Sequence, residues 1–263
     1  MIVAGLQMDI AWEDPEESFR RAEALVERAA AAGARLLVLP ELFATGFSMN
    51  AELVAASGEA ALQLMTRLAR RHRVWVVGGF AESAGDRPYN ACAIVDPDGE
   101  ERARYRKIHP FSLTGEQSRY RAGETVATVA VDGLRVTPLI CYDLRFPELF
   151  RATADVTDLY LVIANWPEPR THAWSALLVA RAIDCQAWVV GVNRVGDAQG
   201  HRHLGESVLV DPLGRVVARG AHQPAVVMGE VDAATVASVR DRYGFLRDRR
   251  PGVYASLMAP PVE

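Results

Sequence analysis

The chain has 263 residues and a formal net charge of −4; half of its residues are apolar and 24% are charged. That make-up belongs to a globular protein long enough to bury a sizeable core, as one large domain or two small ones. Lys and Arg are scattered outside Arg247-Asp248-Arg249-Arg250, which leaves no basic face for nucleic acid, and no apolar run reaches the ~18 residues that cross a bilayer.

Residues 2–10 read as a strand. Asp14-Pro15-Glu16-Glu17 follows with an N-cap, Pro at the first helical position and Glu at the third, a helix start. Phe19, Ala22, Leu25, Val26 and Ala29 then recur at helical spacing, and Gly33 ends the helix. Residues 35–39 form a strand leading to Glu41. A second helix is expected over 58–72, with Leu62, Met65 and Leu68 on one face. Strands follow over 74–78 and 90–95, and Asp96-Pro97-Asp98-Gly99 turns the chain into another. The order then recurs: strand 134–140, helix 147–154, strand 159–164, helix 172–183, strand 187–192, strand 207–210, and a second turn, Asp211-Pro212-Leu213-Gly214. Continuous apolar strands alternating with helices argue for an α/β fold with sheets buried on both faces. Two similar halves without a Gly/Ser/Pro-rich linker suggest a four-layer α-β-β-α sandwich spanning 1–263 as a single domain.

Cysteines are three, Cys92, Cys141 and Cys185, widely spaced and without a CxxC pair. Neither a disulfide framework nor a zinc site is suggested. A reducing compartment fits them, and the start of the chain lacks the features of a signal peptide, so a cytoplasmic protein is expected. Cys92 and Cys185 fall inside a strand and a helix and read as buried, inert thiols. Cys141 stands where a strand hands over to a helix-like stretch. Helix N-terminal amides there would lower its pKa and could hold an oxyanion, although a free thiol in such a place is also often plain core. Glu41 follows Leu39-Pro40 and precedes Leu42 and Phe43, surroundings that would partly bury it and raise its pKa into the range of a general base. Lys107 lies in the basic stretch 102–107, where a surface lysine is the simpler reading. Each of the three sits near the end of a separate apolar run, so a Glu-Lys-Cys site can be formed.

The segments around Glu41, Lys107 and Cys141 resemble the three catalytic motifs of the nitrilase, or carbon-nitrogen hydrolase, superfamily. The resemblance extends to Gly115-Glu116, Ala164-Asn165-Trp166-Pro167, the stretch 180–186 and the tail 240–254. Within the superfamily, Cys141-Tyr142-Asp143-Leu144-Arg145-Phe146-Pro147 followed by Ala164-Asn165-Trp166-Pro167 is most similar to the omega-amidases. These hydrolyse the terminal amide of 2-oxo acid amides such as 2-oxoglutaramate. The resemblance implies that Cys141 is the nucleophile and Glu41 the general base. It implies that Lys107 and the Tyr142 backbone N–H hold the oxyanion, while Glu116 orients Lys107 and the substrate. It implies no cofactor, a small-molecule amide as partner, and a homodimer or higher even oligomer. Phe43, Tyr142 and Trp166 are expected to line a compact pocket, with Arg145 or Arg170 pairing a substrate carboxylate. Other readings remain for some of these residues. Arg145 and Glu148, three apart, could pair along a short helix as a brace, and His172 is a further candidate beside Arg170. Ala173 stands where related omega-amidases often carry His. A deaminated-glutathione amidase, an N-carbamoyl hydrolase and a non-catalytic binding protein on the same fold are the alternatives. His201 and His203 have no third metal ligand in view, and 196–205 reads as a Gly-rich loop without a phosphate-binding pattern.

Overall fold

The computed structural model describes residues 1–258. The first half of the chain forms β1 (Ile2–Gln7), α1 (Pro15–Ala31), β2 (Leu36–Val38), α2 (Ala51–His72), β3 (Trp75–Glu82), β4 (Tyr89–Val95) and β5 (Glu101–Arg106). There follow α3 (Glu116–Arg119), β6 (Val129–Val131), β7 (Leu134–Ile140), α4 (Pro147–Thr153), β8 (Leu159–Ala164) and α5 (Thr171–Cys185). The remainder is β9 (Trp188–Asn193), β10 (Val195–Ala198), β11 (His201–Leu204), β12 (Val208–Val210), β13 (Val216–Arg219), β14 (Ala225–Glu230), α6 (Ala233–Arg242) and α7 (Pro251–Met258).

Two six-stranded sheets run in the orders β14-β1-β2-β3-β4-β5 and β13-β12-β9-β8-β7-β6. Each has three adjacent parallel strands, β1-β2-β3 and β7-β8-β9, flanked on both sides by antiparallel strands. The predicted internal repeat is therefore real at the level of topology. Alternation along β2 shows how the layers stack. Leu36 and Val38 share one core with Val136, Leu161, Ile163 and Val190 of the second sheet, so the two sheets meet face to face. Leu37 and Leu39 point the other way, into a second core with Ala22, Leu25 and Val26 of α1 and Leu64, Met65 and Leu68 of α2. Trp174, Leu178 and Ala182 of α5 cover the outer face of the second sheet. The layers are α-β-β-α, as the patterning suggested. Each fully buried Leu, Ile or Val contributes about 1.5–3 kcal/mol, and the doubly buried strands gather many of them.

Several boundaries differ from the sequence reading. β1 ends at Gln7 rather than residue 10, and Asp9 makes only an isolated bridge to Val195. α2 begins at Ala51, where the Asn50 side chain accepts from the Leu53 N–H, so Gly58 lies inside the helix. Gly58 is required by contact: a Cβ there would lie 1.8 Å from the Ala81 carbonyl oxygen. The helix presses against β3 at that point, which outweighs the ~1 kcal/mol propensity cost of an interior glycine. Residues 196–205 are mostly a hairpin, β10–β11, outside both main sheets. β14, also unforeseen, returns to pair with β1 in the first sheet. Among the described residues, no helix is long and apolar enough to cross a membrane.

Candidate active site

Strand ends converge on one place. Glu41 follows β2, Lys107 follows β5, Cys141 follows β7, Asn165 follows β8 and Arg194 follows β9. The carboxyl ends of parallel strands are the usual site of ligand chemistry in α/β sheets. Close approach of β3 seats Glu41: a Cβ on Gly79 would fall 2.6 Å from the Glu41 Cα.

Glu41, Lys107 and Glu116 are all buried, Glu41 completely rather than partly. Lys107 Nζ donates to Glu41 Oε1 at 3.0 Å and to Glu116 Oε2 at 2.9 Å. Asn90 Nδ2 bridges the two carboxylates, donating to Glu41 Oε1 at 2.8 Å and to Glu116 Oε1 at 2.9 Å. The second oxygen of Glu41 accepts from the Asn165 backbone N–H at 2.8 Å, and the Phe111 N–H donates to Glu116. Burial alone would push the Lys107 ammonium down, but the Glu116 and Glu41 charges outweigh it and hold the group well above its usual value. Burial pushes Glu116 up, opposed by Lys107 and reinforced by Glu41. The surface lysine considered from sequence is thus a buried cation between two acids.

Cys141 has φ +49°, a left-handed conformation that a non-glycine residue adopts only when its surroundings hold it there. Those surroundings are specific. Asp143 Oδ2 accepts from the Ile140 N–H at 3.1 Å and from the Tyr105 hydroxyl at 2.7 Å, while Oδ1 accepts from the His109 N–H at 3.0 Å. Buried Arg181 of α5 donates to the Leu144 carbonyl at 2.9 Å. The strand-to-turn junction is therefore tied to the Lys107 segment on one side and to α5 on the other. The expectation that turn amides would lower the thiol pKa is corrected here. Burial pushes the Cys141 thiol well above its usual value, the Glu41 charge adds to this, and the Lys107 cation only partly opposes it. Cys92 and Cys185 are buried in the core, as expected, and burial also raises their pKa values.

Cys141 opens into a cavity of about 160 Å³ that Tyr142, Arg145, Trp166 and Arg170 also line. Space of that order accommodates a benzene-sized molecule. No Asp or Glu is among its lining residues, whereas three arginines are: Arg145, Arg170 and Arg194. Phe43 does not belong to it. Its ring is fully buried in the helix-side core against Phe19, with centroids 6.0 Å apart, and Phe47 lines the cavity instead. Arg145 makes no ion pair with Glu148 among the described residues. The short turn Cys141–Arg145 ends before α4 starts at Pro147, and the Arg145 guanidinium lies 5.0 Å from the Trp166 ring centroid. His172 is exposed on α5 and lies outside the cavity, while His201 and His203 reach it from the hairpin. Asn90, Asn165, Asp143 and Arg181 carry much of the site's geometry and were not singled out from sequence. Asn165 and Arg181 stand inside stretches that carried the family resemblance, which was the one signal available for them. Among the described residues, no three His, Cys, Asp or Glu side chains gather as a metal site requires.

The carbon-nitrogen hydrolase family model matches residues 2–241. The chain belongs to that family. It is 35% identical over 256 residues to the 2-oxoglutaramate amidase of Bacillus subtilis, covering 96% of this chain and 98% of that protein. It is 37% identical over 245 residues to an omega-amidase of Yersinia enterocolitica, covering 92% and 94%. Among solved structures, a CN-hydrolase superfamily protein of Xanthomonas campestris, carrying an arsenic adduct in its active site, superposes with a TM-score of 0.89 at 32% identity, over 95% of this chain and 97% of that one. An amidase from Nesterenkonia sp. AN1, seen as a Glu-to-Gln mutant after Michael addition of acrylamide at its active-site cysteine, also gives 0.89 at 25% identity, over 98% and 100%.

Proposed function

We propose that this carbon-nitrogen hydrolase is an omega-amidase, releasing ammonia from the terminal amide of a short carboxylate-bearing substrate such as 2-oxoglutaramate. The observation that carries the reading is the cavity itself, lined by Cys141 and three arginines and by no acid. Such a lining suits a small anionic amide, and the similarity to 2-oxoglutaramate and omega-amidases supports it.

In this reading Glu41 accepts the thiol proton as Cys141 Sγ bonds to the amide carbon and the carbonyl electron pair moves onto oxygen. Lys107 and the Tyr142 backbone N–H hold that oxyanion; one such donor is worth ~3–4 kcal/mol in other enzymes. The oxyanion collapses, the C–N bond breaks, and Glu41 passes its proton to the leaving nitrogen, which departs as ammonia. A thioester remains on Cys141. Glu41 then takes a proton from water as the water oxygen adds to the thioester carbon. The second collapse breaks the C–S bond, returns the proton to sulfur and frees the acid. Glu116 keeps Lys107 in place throughout. The whole chain acts as one domain, as a homodimer or higher even oligomer, in a reducing cytoplasm where its three free cysteines stay thiols.

Ammonia release from a panel tests the assignment: 2-oxoglutaramate, 2-oxosuccinamate, uncharged aliphatic amides and N-carbamoyl amino acids. The 2-oxo acid amides should lead, and Cys141→Ala should abolish turnover while keeping the fold. Equal kcat/KM for the uncharged amides would leave an amidase but not an omega-amidase. Iodoacetamide should label Cys141 in step with loss of activity.

A further inference from the structure

Three arginines line the cavity, and they are not equivalent. Buried Arg194 pairs with Asp9 at 3.3 Å, as buried Arg181, outside the cavity, pairs with Asp184 at 3.7 Å; half-buried Arg240 is held instead by the backbone carbonyls of Ala154, Thr157, Cys185 and Gln186. Arg145 and Arg170 have no acidic partner among the described residues, and each guanidinium rests on an aromatic ring instead. Arg145 is exposed, whereas Arg170 is half-buried. Arg170 ends the short turn Glu168–Arg170 beyond β8. Its backbone N–H donates to the Pro167 carbonyl at 3.1 Å, and its own carbonyl accepts from Trp166 Nε1 at 2.7 Å. Its guanidinium lies 4.9 Å from the centroid of Phe111, whose N–H is bonded to Glu116. The residue is thus anchored at its backbone to the segment after β8 and braced at its tip by the segment that fixes Glu116.

A cation taken partly out of water without a counter-ion is costly. Burial pushes the Arg170 guanidinium below its usual value; the Cys141 sulfur opposes this and the Arg145 charge adds to it. Both guanidiniums line the cavity that Cys141 opens into, so the two cations face one shared space. A carboxylate is the group that relieves both strains, and a guanidinium can grip it with two parallel hydrogen bonds.

We propose that Arg170 is the principal specificity residue of the site, binding the substrate carboxylate, with Arg145 as its outer partner. This rests on the omega-amidase reading and names the residue that enforces it. The aromatic platform and the forked grip both need a planar guanidinium, so Arg170→Lys should restore little.

The test compares kcat/KM for 2-oxoglutaramate and for pentanamide, an uncharged amide of the same chain length, in the unsubstituted protein, Arg170→Met, Arg170→Lys and Arg145→Met. The preference for the charged amide should fall at least ~10-fold further in Arg170→Met than in Arg145→Met, chiefly through KM. A binding readout accompanies it. The product dianion, 2-oxoglutarate, should protect Cys141 from iodoacetamide in the unsubstituted protein and fail to do so in Arg170→Met. Equal losses on both amides would assign Arg170 a structural role and overturn the proposal, as would collapse of the preference in Arg145→Met alone. Absence of any preference in the unsubstituted protein would instead sink the omega-amidase reading, and this assignment with it.

Discussion

The Cys141 thiol sits among charges that pull in opposite directions. Burial and Glu41 raise its pKa, and Lys107 lowers it less than they raise it. A raised thiol pKa means a protonated sulfur near neutral pH, so the proposed attack would depend on proton transfer to Glu41 rather than on a standing thiolate. Glu41→Gln should then split two properties. Hydrolysis should fall at least ~10²-fold with the base gone. The thiol should titrate at lower pH, because the charge that raised it is gone; the pH profile of iodoacetamide alkylation reads this, and a shift to higher pH would refute the account. Lys107→Met leaves two buried carboxylates facing each other without their cation, a loss of about 3–5 kcal/mol by analogy with other broken buried pairs, measurable by denaturant titration. The stabilisation that Lys107 provides is complete below its unfolded pKa of about 10.4 and is lost only as pH rises through the higher folded value. Sequence made Glu41, Lys107, Glu116 and Cys141 legible because each stands in a motif. It did not mark Asn90 or Asp143, whose parts come from hydrogen bonds across strands 49 and 38 residues apart in sequence. Phe43 and Phe47 could not be told apart. The segment holding them turns irregularly, with Leu42 at φ +44°, so no period of two or 3.6 says which ring faces the cavity.

Elements were legible where one pattern ruled and obscure where contact overrode it. α1 reads from its Asp14 cap and apolar stripe, and it forms where expected. α2 carries a glycine in its first half, which reads as a start and is in fact a contact with β3. β14 has no sequence sign that its partner is β1, more than 200 residues away. The hairpin β10–β11 looked like a loop because Gly196, Gly200 and Gly205 crowd it, all with φ above +70°. β3 offers the sharpest test at this scale. Gly79→Ala would place a methyl 2.6 Å from the Glu41 Cα and 2.7 Å from the Leu42 nitrogen, both backbone atoms that cannot swing aside. Overpacking of this kind costs about 1–3 kcal/mol. Displacing a reacting group by ~1 Å can cost ~10²-fold in rate. Gly79→Ala should therefore lose at least ~10-fold in kcat/KM while remaining folded by circular dichroism. Unchanged turnover would show that the approach of β3 does not position Glu41.

At the scale of the molecule, the two helical layers differ in what they offer to solvent. Outside the first sheet, α1 and α2 are laced by ion pairs, Arg67 with Glu23 and Arg71 with Glu27. Outside the second, α5 shows a run of exposed or half-buried apolar residues at helical spacing: Ala173, Ala176, Leu177, Ala180 and Ile183. Leu213, in the turn packed beside Ile183, adds to that surface. An apolar stripe of small residues lets a second helix approach closely, and a self-complementary patch of this kind closes about a two-fold axis. The turn that carries Cys141 is braced by Arg181 of this same helix, so burying the outer face of α5 would also stiffen the proposed nucleophile. Light scattering at micromolar concentration should therefore give a dimer or a higher even oligomer. Leu177→Asp should shift the protein toward smaller species and lower kcat, because the charge would face the partner copy while the brace behind Cys141 loosens. A monomer in the unsubstituted protein, or a Leu177→Asp variant that keeps its size, would count against pairing through this face.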